Sequence, residues 1–113
     1  MKSRRLVFRP QAEADLDAIY DYIAKASSNF EVAFKFTERL RAACSKLVDF
    51  SERGTPRNDL FSGLRTVGFE RKSLIAYLVQ GDDVVIINIF HGGRDWEAAI
   101  LRDDSLGEGS EDI

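Results

Sequence analysis

Two amphipathic stripes stand nearly end to end in the first half of the chain, and the short gap between them limits what the chain can fold into. Ala12, Leu16, Ile19, Tyr20 and Ile23 recur at steps of one, three and four residues, which puts them on one face of a helix ending near Ala26. A second series, Ala33, Phe36, Leu40, Ala43, Leu47 and Phe50, predicts a helix from Asn29 to Phe50. Only Ser27, Ser28 and Asn29 separate the two, and Ser28 followed by Glu31 reads as a capping box for the second helix. So short a connection makes the helices antiparallel neighbours. Both stripes then need one shared apolar surface to cover.

The rest of the chain supplies a sheet for that purpose. Leu6, Val7 and Phe8 form a short β-prone run, and Pro10 suits the first turn of the helix that follows. Residues 51–63 carry turn signals throughout and read as a loop. Three strands are expected next, Leu64 to Phe69, Leu74 to Gln80 and Val84 to Phe90, with Gly81-Asp82-Asp83 as the turn between the last two. The third is almost wholly apolar, as a central strand covered on both faces would be. His91-Gly92-Gly93 breaks it, and Asp95 can cap a short helix from Trp96 to Leu101. The order β-α-α-β-β-β-α is that of an α+β fold of two layers, a helical hairpin packed on a small antiparallel sheet.

Composition narrows the function. The chain has 113 residues, enough for one core but not for two lobes with a deep cleft. No apolar run approaches the roughly 20 residues of a membrane span, and no apolar region follows the basic start, so the expectation is a cytoplasmic protein with no membrane role. A single cysteine, Cys44, and a single histidine, His91, offer no disulfide and no zinc spacing, and no metal or cofactor is implied. Cys44 reads as a small buried hydrophobe. Residues 103–113 hold five acids and no base, whereas residues 1–102 hold 16 bases and 14 acids. The chain therefore divides into a mildly cationic body, 1–102, and an acidic tail, 103–113, that reads as disordered. The tail is either a solvated end or a flap that screens a basic surface.

Four local patterns fall in a specific order: Asp15-Leu16-Asp17-Ala18-Ile19-Tyr20-Asp21-Tyr22-Ile23-Ala24, then Gly63-Leu64-Arg65, then Tyr77, then Ile89-Phe90-His91-Gly92-Gly93-Arg94-Asp95. Together they resemble the ParE branch of the RelE/ParE superfamily of toxins, which includes plasmid stabilisation proteins, from residue 4 to about 102. The resemblance implies a small toxin of a type II toxin–antitoxin system, held inactive by a cognate, ParD-like antitoxin. ParE-like members are associated with poisoning DNA gyrase. RelE-like members cut mRNA on the ribosome, and a member that binds antitoxin but poisons nothing is a third possibility, because fold does not choose among targets.

The residues weigh these alternatives. Ribonuclease chemistry without a metal needs a base, cations for the phosphorane and an acid. Arg65, Arg71, Lys72, His91 and Arg94 are the candidates for it. Against that reading, the tyrosine that the resemblance to nucleases implies near the C-terminal end is replaced by Asp95 and Trp96, and a body charge of +2 is small for an RNA-binding surface. Tyr22, Phe30 and Phe34 fall off the apolar stripes and are the candidate antitoxin groove, with Arg65, Arg71 and Lys72 as cationic contacts for an acidic segment. Each has a plainer reading. The aromatics can be rim packing, Arg65 can pair with Asp59 or Glu70, and Arg71 and Lys72 can be solvated turn residues. His91 can be a hydrogen-bonded residue that orders the following glycines.

Overall fold

The computed structural model describes residues 4–93, 95–103 and 106. Strand β1 (Arg5–Phe8) leads directly into helix α1 (Pro10–Ser27), which has its proline in the first turn. Helix α2 (Phe30–Lys46) returns alongside it. The cap differs from the expected box. Ser28 closes α1 in the left-handed conformation, φ 57°, so the start of α2 falls to Asn29, whose side chain accepts from the backbone N–H of Glu31 and Val32. Helix α2 also stops four residues before Phe50. A tight turn follows, with Leu47 N donating to Cys44 O at 3.0 Å, and it drops the chain back toward the sheet. Leu47 is buried and Phe50 is exposed.

The sheet has five strands: β2 (Thr55–Pro56), β3 (Arg65–Phe69), β4 (Ser73–Gln80) and β5 (Asp83–His91) join β1 in the order β1-β5-β4-β3-β2. Strands β3, β4 and β5 form the expected antiparallel meander. Strand β1 corrects the all-antiparallel expectation, because it lies parallel to β5, Arg5 opposite Asp83 and Phe8 opposite Ile86. Strand β2 adds an edge within the loop, a position Pro56 tolerates because an edge strand needs no donor on its outer side.

Strand β5 is buried along Val84–Phe90 because both faces are covered. One face carries Ile75, Tyr77, Val84, Ile86 and Ile89 against Leu16, Ile19, Leu40 and Leu47 of the hairpin region. The other carries Ala76, Leu78, Val85 and Ile87 against Ile100 of helix α3 (Trp96–Arg102) and against Leu106. The short last helix thus forms a partial third layer. Asp95 caps it through Ala98 N, as read from the sequence. Leu106 is 7% exposed; the rest of the acidic segment after Asp103 lies outside the described residues.

Ala76 pairs with Asn88 and Tyr77 with Ile86, so Ile87 is an extra residue in β5 and makes a bulge. Strand β1 has ended there. Asp15 of α1 takes over the exposed strand edge, its Oδ2 accepting from Ile89 N at 2.9 Å and from Asn88 Nδ2 at 3.1 Å. Burial pushes the Cys44 thiol up to about 12, as expected for an inert core residue.

Candidate functional site

The candidate residues collect at opposite ends of the sheet. At the end beneath the helical hairpin, β4 begins at Ser73 opposite His91, and the Ser73 hydroxyl meets His91 Nδ1 at 2.7 Å. The imidazole lies edge-on between Tyr22, at 5.8 Å, and Phe36, at 5.5 Å between ring centroids. Burial, with a smaller contribution from the Lys72 charge, holds the His91 pKa below its ordinary value. Lys72 is close because its carbonyl accepts from Gly92 N at 2.8 Å, joining the β3–β4 turn to the glycines after β5. A small cleft of about 90 Å³ opens beside the ring, lined by Asp15, Ala18, Tyr22 and His91 among others.

The β3–β4 turn is strained. Glu70 and Arg71 both have positive φ, 46° and 73°, without being glycine. A bidentate ion pair braces it, Arg39 Nε to Glu70 Oε2 at 2.8 Å and Nη2 to Oε1 at 2.9 Å. The guanidinium holds the Glu70 carboxyl below its usual range. Arg71 and Lys72 are exposed at the tip.

Arg65 stands at the other end of β3. It is opposite Tyr77, four residues along β4 from Ser73, or about 13 Å at the rise of a strand. Its Nη1 donates to the carbonyls of Glu52, at 3.0 Å, and Gly54, at 2.8 Å. The Tyr77 hydroxyl donates to Ser51 O at 2.8 Å and accepts from Gly54 N at 3.0 Å. Arg65 and Tyr77 therefore brace the chain from 51 to 54. The two carboxylates considered as partners for Arg65 are paired elsewhere, Asp59 with Arg57 and Glu70 with Arg39. The structure thus brings Tyr22, Lys72 and His91 together and leaves Arg65 apart; Arg94 lies outside the described residues.

Tyr22, Phe30 and Phe34 are exposed at 62%, 74% and 55%, in keeping with their positions off the stripes. A second concave surface, about 380 Å³, runs between α2 and β3 and is lined by Arg39, Lys46, Arg53, Val67 and Phe69 among others.

The model of the ParE toxin of type II toxin–antitoxin systems, parDE, matches residues 6–96. The chain belongs to this family. A ParE-like fold is matched in turn by a chain of the chromosomal ParDE system from P. aeruginosa, with 27% identity and a TM-score of 0.69 over 80% of this chain and 97% of that one. A chain of the toxin–antitoxin complex RelBE2 from Mycobacterium tuberculosis shares the fold, with 21% identity and a TM-score of 0.53 over 79% of this chain and 98% of that one. No curated protein matches. No described helix is long and apolar enough to cross a membrane.

Within this ParE-family chain, three features escaped the reading of the residues: the Asp15 contact with β5, the Arg39–Glu70 brace and the α2–β3 groove. In the sequence Asp15 reads only as part of the first local pattern, and Glu70 as a candidate partner for Arg65 rather than for Arg39. The groove joins Lys46 and Arg53 to Val67 across segments whose pairing no local pattern reveals.

Proposed function

We propose that this ParE-family chain is a cytoplasmic toxin neutralised by a cognate, ParD-like antitoxin, and that it acts by binding DNA gyrase rather than by cutting mRNA. In this reading the antitoxin lays an amphipathic segment on Tyr22, Phe30 and Phe34 and sets acidic side chains on Arg71 and Lys72. The separation of the candidate cations carries the choice of activity. A metal-free nuclease needs base, cation and acid around one phosphate. Arg65 is about four residues of strand away from His91 and spends Nη1 on backbone carbonyls. His91 is packed between two rings, and its pKa is lowered by burial. The nuclease reading keeps one local grouping, Ser73, His91 and Lys72.

Purified chain, with and without antitoxin, should be tested in a gyrase supercoiling assay and in a ribosome-dependent mRNA cleavage reaction. We expect gyrase inhibition relieved by antitoxin, intact mRNA, and toxicity retained in His91→Ala. Loss of general acid–base catalysis costs about 10²–10⁴-fold, so a catalytic histidine would not be silent. Defined cuts in the ribosomal A site, lost in Arg65→Ala and His91→Ala, would overturn the gyrase reading.

A further inference from the structure

The β3–β4 turn stands between two concave surfaces and takes part in both. On one side, Glu70 and Arg39 line the groove between α2 and β3, together with Lys46, Val67 and Phe69. On the other, the turn holds the end of β5: the Lys72 carbonyl accepts from Gly92 N at 2.8 Å, and the Ser73 hydroxyl meets His91 Nδ1 at 2.7 Å. His91 in turn lines the small cleft with Asp15 and Tyr22. The run from Glu70 to Ser73 therefore joins the groove to the cleft.

That run is strained. Glu70 and Arg71 hold φ at 46° and 73°, a region that few residues other than glycine and asparagine enter without a steric penalty. The bidentate pair with Arg39, at 2.8 and 2.9 Å, ties Glu70 in that conformation to a rigid helix. The two side chains are 53% and 41% exposed, so the pair is open to competition from another carboxylate. Lys46 and Arg53 line the same groove without a carboxylate partner among the described residues, and they would draw an acidic ligand to it.

We propose that the Arg39–Glu70 pair is a latch on a two-state turn. A ligand carboxylate that takes Arg39 from Glu70 lets the turn leave its left-handed conformation, and the movement passes through Lys72 and Ser73 to Gly92 and His91. Occupancy of the groove is thereby coupled to the cleft beside Tyr22. Tyr22 belongs to the antitoxin surface proposed above, so an acidic segment in the groove would alter that surface. This last consequence rests on the antitoxin reading; the latch itself does not. A competing route runs through α2, because Arg39 lies over the Phe36 ring at 5.4 Å and Phe36 meets the His91 ring at 5.5 Å.

Amide hydrogen exchange and NMR titration of the His91 ring, on the full-length chain without any partner, test the latch and separate the routes. Glu70→Gln removes the pair and keeps the strain. The Gly92 N–H should then exchange about tenfold faster, as for a local opening. The His91 pKa should rise toward 6.5 as the ring loses cover. Glu70→Asn/Arg71→Gly also removes the pair, but it installs the residues that best adopt consecutive positive φ, so both readings should stay at their wild-type values. Glu13→Gln, which frees Arg41 on the same helix as Arg39, should change neither. Wild-type readings in Glu70→Gln would overturn the proposal. Equal changes in Glu70→Gln and in the double variant would place the coupling in Phe36 and overturn it too, as would equal changes in Glu13→Gln. Antitoxin is absent throughout, so failure of the antitoxin reading leaves these results standing.

Discussion

Gly54 leaves no room for a side chain. A Cβ built there would stand 2.8 Å from both the Thr66 carbonyl oxygen and the Tyr77 hydroxyl, neither of which is a flexible side-chain end. Gly54→Ala should therefore lose about 1–3 kcal/mol, the usual cost of overpacking a tight site, read from the urea midpoint; an unchanged midpoint would refute the close approach. His91 gives a second prediction at this scale. Its folded pKa lies below 6.5, so well above pH 6.5 folded and unfolded chains are both neutral there and the full stability is present. As pH falls through 6.5, the unfolded chain takes up a proton that the folded one resists, and stability declines. Asp59 and Glu70, lowered from 3.8 and 4.5, act in the same direction but below that window. Urea midpoints should thus fall between about pH 7.5 and pH 5.5, and His91→Gln should abolish most of that slope. A slope that survives the substitution would assign the effect elsewhere. His91 and Arg65 were legible as notable residues because each interrupts a strand pattern. Their partners were not: Ser73, Tyr22, Phe36 and the carbonyls of Glu52 and Gly54 come from segments whose approach depends on the whole fold.

The helices and the meander could be read from the sequence because their signals are local. The 3.6-residue stripes, Pro10 and the Gly81 turn each constrain a few neighbouring residues. The parallel partner of β1 could not, since Arg5 and Asp83 meet only after the whole chain has folded. The α1–α2 junction shows the limit most sharply. Ser28 and Asn29 are both good cap residues, and the choice depends on which of them closes α1. The observed assignment makes opposite predictions for the two. Asn29→Ala should cost about 1 kcal/mol, because it removes the acceptor for Glu31 N and Val32 N. Ser28→Gly should be neutral or stabilising, because glycine adopts positive φ without penalty. Thermal denaturation of the two variants checks this, and the reverse order would restore the capping box to Ser28. The same logic applies at the β3–β4 turn. Arg71→Gly should raise stability by roughly 1 kcal/mol through relief of its left-handed backbone, while weakening antitoxin binding if Arg71 is a contact.

The whole molecule has an apolar cluster on each face of its sheet, and they differ in how they are closed. The cluster beneath α1 and α2 is roofed by two long helices. The opposite cluster, around Leu64, Ala76, Leu78, Val85 and Ile87, is roofed by the seven-residue α3, with Phe61 and Trp96 at its margin and Leu106 seated in it. Arg57 ties this side together, bonding Asp59 and reaching Glu97 of α3 at 2.8 Å while lying over the Trp96 ring at 5.1 Å. With so little cover, each apolar side chain over that face matters more than its position near the end of the chain suggests. The acidic character of residues 103–113 hides this, because charge dominates the segment and a lone leucine has no period to announce it. Two truncations separate the readings. A chain ending at Leu106 keeps the buried leucine and should hold its stability within about 0.5 kcal/mol, as for a surface change. A chain ending at Asp103 also loses a leucine that is 7% exposed, and should fall by about 2–5 kcal/mol, the range for emptying a buried leucine site. Chemical denaturation of both, with the full chain as reference, decides it. Equal midpoints for the two truncations would remove Leu106 from the core of that face.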